Sequence, residues 1–260
     1  MKKFSSLLHN LILTPSRNTK IKLLQDYFKI LDINRAYALA ILSDQLSFQF
    51  IKASKLRELV YEQVDQHLFD YSYDYVGDLA ETISLIWPTN KEGKSQNLST
   101  LIENIKKIKK SEINTEFSKV LSELSNNERW TLIKICTGGL RIGVSERLVK
   151  TALADLYNKS VNEIEEIWHG LEFPYENLFQ WLKNETSKPK IDFKKLFHPM
   201  MLANPIDEEK DFKRLDANEF QAEYKWDGIR VQLMVSSNSV SLYSRTGDNI
   251  SSAFPEIIET

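Results

Sequence analysis

The stretch TGGLRIGVSERLVKTALA, residues 137–154, contains the pattern of a helix end followed by a helix start. We expect one helix to end at Gly138 and Gly139, because glycine readily adopts the backbone conformation that terminates a helix. A second helix is expected to begin near Ser145, since serine is a favoured N-cap residue. Two helices joined by a short turn therefore set the local architecture.

The turn between these helices carries one cation, Arg141, and a further small residue, Gly143. Backbone N–H groups at a helix start, with an arginine nearby, are suited to hold a phosphate group without reading a base sequence. The alternative is a tight helix–helix turn in which glycine serves packing alone. The turn pattern taken by itself favours this alternative.

Helical periodicity extends to both sides of this stretch, over most of residues 1–183. Apolar residues recur at helical spacing, for example Leu24, Tyr27 and Phe28. Proline and glycine are rare in this region, so few positions interrupt the pattern. We predict a mainly α chain with an all-helical domain over residues 1–190.

The composition changes near residue 184, where NETSKPKIDFKKLFHP is polar, basic and proline-containing, as in a linker. The stretches GIRVQLMV (228–235) and VSLYSR (240–245) then show the pattern of two strands joined by the turn SSNS. Residues 191–260 are therefore predicted to contain the linker and part of an α+β domain. They are too few to form a sizeable sheet core, so we expect this domain to be incomplete.

The formal net charge of −2 means that a nucleic-acid partner would need a local basic face. The run KKIKK (106–110) is one candidate, although short charge runs are usually solvated helix faces. The single cysteine, Cys136, lies in an apolar run and is predicted to be a buried structural thiol in a reducing compartment. The four histidines lack ligand spacing, so we predict no zinc site.

The stretch AEYKWDGIRVQL (222–233) places a lysine in the middle of a predicted strand, FQAEYK (220–225). Glu223 and Lys225 share one face of that strand because side chains alternate along a strand. Asp227 and Gly228 are expected to turn the chain, and Asp-Gly is a common hairpin turn. One interpretation is therefore a hairpin with charged surface residues.

The other interpretation is a nucleophilic lysine enclosed between strands. A lysine amine attacks only when it is unprotonated, and its ordinary pKa is far above neutral. Burial and a neighbouring cation, such as Arg230 or a metal, favour the neutral amine of Lys225. We expect Glu223, Lys225 and Arg230 to line one pocket, with Asp227 available to position the amine or the metal.

Residues 225–228, Lys-Trp-Asp-Gly, resemble the K-x-D-G signature of the nucleotidyltransferases that include ATP-dependent DNA ligases and mRNA capping enzymes. Residues 244–247, Ser-Arg-Thr-Gly, are similar to the second motif of that family. HPMMLANPI (198–206) resembles the segment before the lysine motif of DNA ligases, and residues 137–154 resemble the signature of the ligase DNA-binding domain. The similarity is closest to bacterial ATP-dependent DNA ligases with an N-terminal helical domain.

This resemblance implies that Lys225 attacks the α-phosphate of ATP and carries AMP, which then passes to the 5′-phosphate of a DNA nick. It implies that Mg²⁺ neutralises phosphate charge during these steps. It assigns nucleotide contacts to five further residues: Glu223, which matches the residue that helps to recognise adenine, and Asp227, Gly228, Arg230 and Arg245. It assigns DNA-backbone contacts to Gly138, Gly139, Arg141 and Gly143.

The resemblance implies that the protein is a monomer and that its partner is nicked double-stranded DNA. It also implies a location in the bacterial cytoplasm, with no membrane association. The later motifs of the family and its OB-fold domain are not found before Thr260. We therefore expect no metal site in this piece and no nick sealing by it alone. Two alternatives stay open: a non-catalytic helical DNA-binding module, and another covalent nucleotidyltransferase such as an RNA ligase or capping enzyme. The large helical region argues against the second.

Aromatic residues in the helical region are a candidate for base stacking, but their helical context favours core packing. This expectation covers Tyr73, Tyr75, Trp87, Trp130 and Trp168.

Overall fold

The computed structural model describes residues 1–30, 32–46, 50–88, 96–138, 140–191, 197–198, 205–236, 239–245 and 249–258. The chain divides into two compact units. The first comprises Met1–Glu165 and Glu172–Lys188, and the second comprises Glu166–Leu171 and Pro189–Thr260. Each unit is described by itself. The predicted mainly α fold is confirmed, because helices make up nearly all the regular structure of the described residues.

Twelve α-helices occur in the described residues before Lys183. They are α1 Lys2–Leu13, α2 Arg17–Phe28, α3 Asn34–Leu42, α4 Ala53–Tyr61, α5 Gln66–Val76, α6 Leu79–Ile86, α7 Leu98–Lys106, α8 Ile113–Glu123, α9 Asn126–Thr137, α10 Glu146–Tyr157, α11 Val161–Trp168 and α12 Glu176–Leu182. The described part of the chain contains no helix with the length and apolar character that a membrane crossing requires.

Side chains at the helix starts satisfy main-chain N–H groups that have no partner within the helix. Ser16, Asp65, Asp78 and Ser145 each accept a hydrogen bond from the backbone N–H three residues further on. Ser125 and Glu128 form a reciprocal capping box at the start of α9. These local bonds fix where the helices begin.

The core of the helical unit consists of apolar side chains from nearly all its helices. The pair α2 and α10, the pair α6 and α9, and the pair α1 and α9 pack directly on each other. Fully buried members of the core include Leu8, Leu24, Phe28, Leu56, Phe69, Phe117, Leu132 and Leu153. Cys136 is buried in this core as predicted, and burial raises the pKa of its thiol.

Two of the aromatic residues expected in the core, Trp87 and Trp168, are buried. Tyr75 is not, since 92% of its surface is exposed, so the core prediction for this residue is wrong. Tyr75 lies on α5, and the buried side chain of that helix, Phe69, is on a different face. Helical periodicity identifies a helix, but which face is covered depends on what packs against it.

The second unit contains the strands β1 Val231–Ser236 and β2 Ser239–Ser244, and the short helix α13 Pro255–Ile258. The strands are antiparallel, with Val231 opposite Ser244. The predicted strand pair is therefore confirmed, although the first strand begins at Val231 rather than at Gly228. The side-chain amide of Gln232 on β1 accepts from the N–H of His198 at 2.7 Å and donates to its carbonyl at 3.1 Å.

Candidate functional site

The two helices and the short turn predicted at residues 137–154 are present. Helix α9 ends at Thr137, and Gly138 follows in the left-handed conformation with φ of 72°. Helix α10 begins after Ser145, whose Oγ accepts from the N–H of Leu148 at 3.3 Å. Gly139, the second glycine of the predicted helix end, lies outside the described residues.

The turn between the helices is anchored by a buried residue between two exposed ones. Ile142 is buried, whereas Arg141 and Gly143 face solvent. Gly143 has a φ of +65°, a conformation that L side chains rarely adopt. The cation and the small residue predicted to meet phosphate are therefore accessible, and Arg141 is held at the exposed edge of the turn.

A residue that sequence reasoning missed, Lys20 of α2, contacts this turn. Its Nζ donates to the carbonyl oxygen of Gly143 at 2.9 Å and approaches that of Ile142 at 3.5 Å. The two partners are 123 residues apart in the chain, and no local pattern connects them. Packing of α2 against α10 is what brings the ammonium group to the turn.

The orientation of the two peptide groups follows from these contacts. A trans peptide places its C=O and its N–H in opposite directions. Because the carbonyls of Ile142 and Gly143 face Lys20, the N–H groups of Gly143 and Val144 point to the other side. Within the residues that the structure describes, neither N–H has a hydrogen-bond acceptor. The turn therefore presents two neighbouring donors.

An open cleft of about 490 Å³ lies beside the turn. It is lined by Pro15, Arg17, Lys20, Gly143, Val144, Ser145 and Leu148. Within the described part of the chain, neither Arg17 nor Arg141 has a carboxylate partner, so both guanidinium groups are available to an anion. The acidic residue at the start of α10, Glu146, is paired with Lys150 at 2.5 Å. Its charge is thus offset locally.

The lysine segment does not have its predicted conformation. Residues 220–230 form neither a strand nor a helix, and all their side chains are exposed. The prediction of a strand over 220–225 is therefore wrong, as is that of a hairpin turn at Asp227 and Gly228. The physical reason is the lack of a partner, because a strand is stabilised by pairing and this segment pairs with none of the described residues.

The predicted pocket around Lys225 is not formed by the described residues. Glu223, Lys225 and Arg230 are all in the exposed segment, and the aromatic neighbours Tyr224 and Trp226 are 87% and 86% exposed. The expected apolar face of the strands is uncovered too, with Ile229 74% exposed. Enclosure of the amine requires walls that these residues do not supply.

The remaining predicted nucleotide residues are placed as follows. Asp227 is exposed, and Gly228 has open space where a Cβ would project. Arg245 follows β2 and is exposed, while Thr246 and Gly247 of the same motif lie outside the described residues. The described residues contain no group of three or more His, Cys, Asp or Glu side chains that could hold a metal ion.

Comparison with known protein families gives two matches along the chain. A family described as "DNA ligase N terminus" matches residues 1–154, which include most of the described helices and the turn. A family described as "ATP dependent DNA ligase domain" matches residues 200–260, which include the lysine segment and both strands. The first match alone covers more than half of the chain.

Curated proteins with similar sequences are also DNA ligases. The DNA ligase of Nitrosopumilus maritimus is 37% identical over 147 residues, which are 55% of this chain and 25% of that protein. A probable DNA ligase of Koribacter versatilis is 33% identical over 148 residues, 54% of this chain and 24% of that protein. The DNA ligase of Thermococcus fumicolans is 25% identical over 197 residues, 70% of this chain and 35% of that protein.

The matched region thus spans about a quarter to a third of the length of these relatives. The relatives include archaeal proteins, so the narrower resemblance to bacterial ligases stays a prediction. The two family matches follow each other in the order expected from the motifs, the helical region first and the lysine segment second. The chain belongs to the ATP-dependent DNA ligases.

Proposed function

We propose that this chain is the N-terminal part of an enzyme that uses ATP to seal nicks in duplex DNA, and that its helical unit holds the DNA backbone. The observation that carries the proposal is the turn between α9 and α10. It combines the exposed guanidinium of Arg141 with two N–H donors that have no acceptor among the described residues. Charged and main-chain donors of this kind are the usual partners of phosphate oxygens.

The proposed contacts do not read base sequence, which suits an enzyme that meets nicks in any sequence. We propose that Gly138 and Gly143 meet the DNA backbone through their main-chain groups. At Gly143 the direction in which a Cβ would project is occupied by Lys20 Nζ. Gly139 is also proposed to contact the DNA backbone, on the basis of the family resemblance. Arg17 lines the adjacent cleft and adds a second cation that has no carboxylate partner among the described residues.

We also propose that Lys225 is the residue that accepts AMP. Its neutral Nζ forms a bond to the α-phosphorus of ATP, the bond from that phosphorus to the pyrophosphate oxygen breaks, and the amine loses a proton. An oxygen of the 5′-phosphate at the nick then bonds to the phosphorus of the bound AMP, the Lys225 Nζ–phosphorus bond breaks, and the amine regains a proton from solvent. The 3′-hydroxyl oxygen next bonds to the 5′-phosphorus, the bond from that phosphorus to AMP breaks, and the hydroxyl proton passes to solvent. Five residues are proposed to contact the nucleotide: Glu223, Asp227, Gly228, Arg230 and Arg245.

The exposed segment around Lys225 does not fit ATP or a metal ion in its described conformation. We therefore propose that this chain neither adenylates itself nor seals nicks alone. Mg²⁺ enters the proposal only as the counterion of the ATP phosphates, which commonly supply most of its ligands other than water. No step is assigned to a metal held by the described side chains.

Binding to nicked duplex DNA tests the first part of the proposal. Fluorescence anisotropy with two nicked duplexes of unrelated sequence should give similar dissociation constants for the wild-type chain. The variant Arg141→Ala should bind both duplexes more weakly by a similar factor. Lys22→Met, which removes an exposed cation of α2 that is paired with Asp26, is the matched control. Arg141→Ala binding as tightly as the control would contradict the role of the turn.

A second candidate function is a non-catalytic DNA-binding module. The exposure of Lys225 favours it for this chain, because the described residues form no pocket around this amine that could hold ATP against it. Incubation with labelled ATP and Mg²⁺ distinguishes the two in a longer protein that adds the rest of the adenylation domain. Label that depends on Lys225 supports the enzyme, whereas no label, or equal label on Lys225→Ala, supports the module.

We also propose that the protein is a monomer and that it is located in the cytoplasm. The proposed domain limits are 1–190 for the helical domain and 191–260 for the linker and the part of the adenylation domain. The buried, unpaired thiol of Cys136 agrees with a reducing compartment. An RNA ligase or a capping enzyme is disfavoured by the helical region, which matches the N-terminal family of DNA ligases.

A further inference from the structure

We propose that Lys20 is a positioning residue that sets the DNA-binding turn between α9 and α10 in its binding conformation. This inference rests on the proposed function of that turn. Lys20 Nζ lies 2.9 Å from the carbonyl oxygen of Gly143 and 3.5 Å from that of Ile142. It therefore acts on DNA through the main chain of the turn rather than by its own contact with a phosphate.

The two carbonyl contacts fix two successive peptide planes. With both carbonyls directed at the ammonium group, the N–H groups of Gly143 and Val144 are turned away from it. A cation at the carbonyl side also polarises each peptide group and so strengthens its N–H as a donor. Without the ammonium group these planes lose their common orientation, and the two donors are no longer held on the side away from Lys20.

Gly143 is explained by the same contact. A Cβ built on Gly143 would lie 2.8 Å from Lys20 Nζ, closer than real Cβ atoms approach another atom. With a side chain at this position, the ammonium group would have to shift from its place beside the carbonyl oxygens. Lys20 and Gly143 thus form a matched pair: the glycine leaves the space, and the lysine uses it to hold the turn.

A nearby lysine provides the control for charge alone. Lys22 is also on α2, is exposed, and has Asp26 as its ion-pair partner at 3.6 Å. Among the described residues, Lys22 has its ion pair with Asp26 and no hydrogen bond to the turn. If Lys20 acted merely as one more positive charge, replacing Lys20 or Lys22 by Met would have similar effects on DNA binding.

The test is a double-mutant cycle of Lys20→Met and Arg141→Ala, read by the affinity for a fluorescein-labelled nicked duplex. Lys20→Met is expected to weaken binding about tenfold in the wild-type background and about twofold in the Arg141→Ala background, because both changes remove one functional unit. Lys22→Met should weaken binding less than about twofold. Lys20→Arg should restore most of the affinity, since guanidinium can donate to both carbonyls.

A measurement without DNA separates this inference from the proposed function. In the free protein, Lys20→Met should shift the ¹⁵N amide signals of Gly143 and Val144, and Lys22→Met should leave them in place. Lys20→Gln keeps a polar side chain at this position but is shorter and uncharged. It should show the same non-additive binding with Arg141→Ala, so the inference can still be tested if Lys20→Met folds poorly.

Additive losses, or unchanged amide signals in Lys20→Met, would overturn the positioning role while leaving DNA binding in place. Failure of the wild-type chain to bind the duplex would instead contradict the proposed function, on which the inference depends.

Discussion

At the scale of single residues, Arg129 is a cation without any exposed surface in the helical unit. Its guanidinium donates to the main-chain oxygens of Leu121, Leu124 and Ser84 at 2.8–2.9 Å. These carbonyls lie near the ends of α8 and α6, where backbone acceptors lack partners inside the helix. One side chain therefore satisfies the ends of two helices and ties them to α9.

We predict that Arg129→Met destabilises the helical unit by about 3 kcal/mol, because several buried carbonyls lose their donors while the apolar volume is kept. Urea unfolding should show a lower midpoint with an unchanged slope. Lys119→Met, at an exposed position of α8, is the control and should change the free energy of unfolding by less than about 0.5 kcal/mol. A value for Arg129→Met within that range would show that the guanidinium network is dispensable.

Asp78 carries an acid-sensitive contribution to stability. Burial alone would raise the pKa of its carboxyl, but hydrogen bonds from Lys134 and from the N–H of Glu81 outweigh it, so the pKa lies below its ordinary value of 3.8. The ionised form is thus favoured by folding. The stabilisation is complete above the unfolded pKa and is lost as the pH falls through the lower, folded pKa.

We predict that Asp78→Asn is less stable than the wild type at pH 7 and that the difference shrinks below about pH 4. Asparagine can still cap α6, so the loss reports the charge and not the cap. Thermal unfolding of both proteins as a function of pH is the measurement. A stability difference that stays constant down to pH 2 would contradict the lowered pKa.

At the scale of elements, the turn between α9 and α10 is determined both by contacts within a few residues and by contacts distant in the chain. Gly138 ends the first helix and Ser145 caps the second, both through bonds within a few residues. Ile142 anchors the turn in the core, and Lys20 from α2 holds its carbonyls. The helix limits are local properties, whereas the orientation of the turn depends on packing.

We predict that Gly143→Ala lowers the stability of the helical unit by about 1–2 kcal/mol, because a side chain is strained at φ of +65°. Its Cβ also meets Lys20 Nζ. Gly228→Ala is the matched control, since open space surrounds that position and no positive φ is found there. Chemical unfolding followed by far-UV circular dichroism measures both, and equal effects of the two variants would be the contrary result.

The helix end at Gly138 and the cap at Ser145 could be predicted from the sequence because they depend on neighbours in the chain. The contact of Lys20 with the turn could not be predicted, since its partner Gly143 is 123 residues away in the chain. The strand prediction at Lys225 failed for the same reason, because alternation of side chains does not provide the strand that must pair with it. The prediction that Tyr75 packs in the core failed because a helix pattern does not identify which face another element covers.

At the scale of the whole molecule, a helical unit that matches the N-terminal ligase family precedes a smaller unit with the lysine segment. The smaller unit has one antiparallel strand pair in its described part, and the apolar side chains Leu233 and Val235 of β1 are exposed. A two-stranded sheet with an uncovered apolar face has little stability of its own. The two units should therefore differ strongly in their resistance to unfolding.

We predict that brief trypsin digestion yields a stable helical product that ends near Lys190. Residues 187–191 have no regular secondary structure, and Lys190 is exposed. Proteases cut such segments before they cut packed helices. Mass spectrometry of the product locates the cut, and circular dichroism tests its helicity. Initial cleavage within α9 or α10 would contradict a domain limit near residue 190.

The most direct test of the central claim, that the turn after α9 holds the DNA backbone, is the salt dependence of binding to nicked duplex. We predict that the logarithm of the association constant of the wild-type chain falls linearly with the logarithm of salt concentration, as phosphate contacts require. Arg141→Ala should reduce the steepness of that line by about 1. An affinity that does not change with salt, or identical slopes for the two proteins, would contradict the claim.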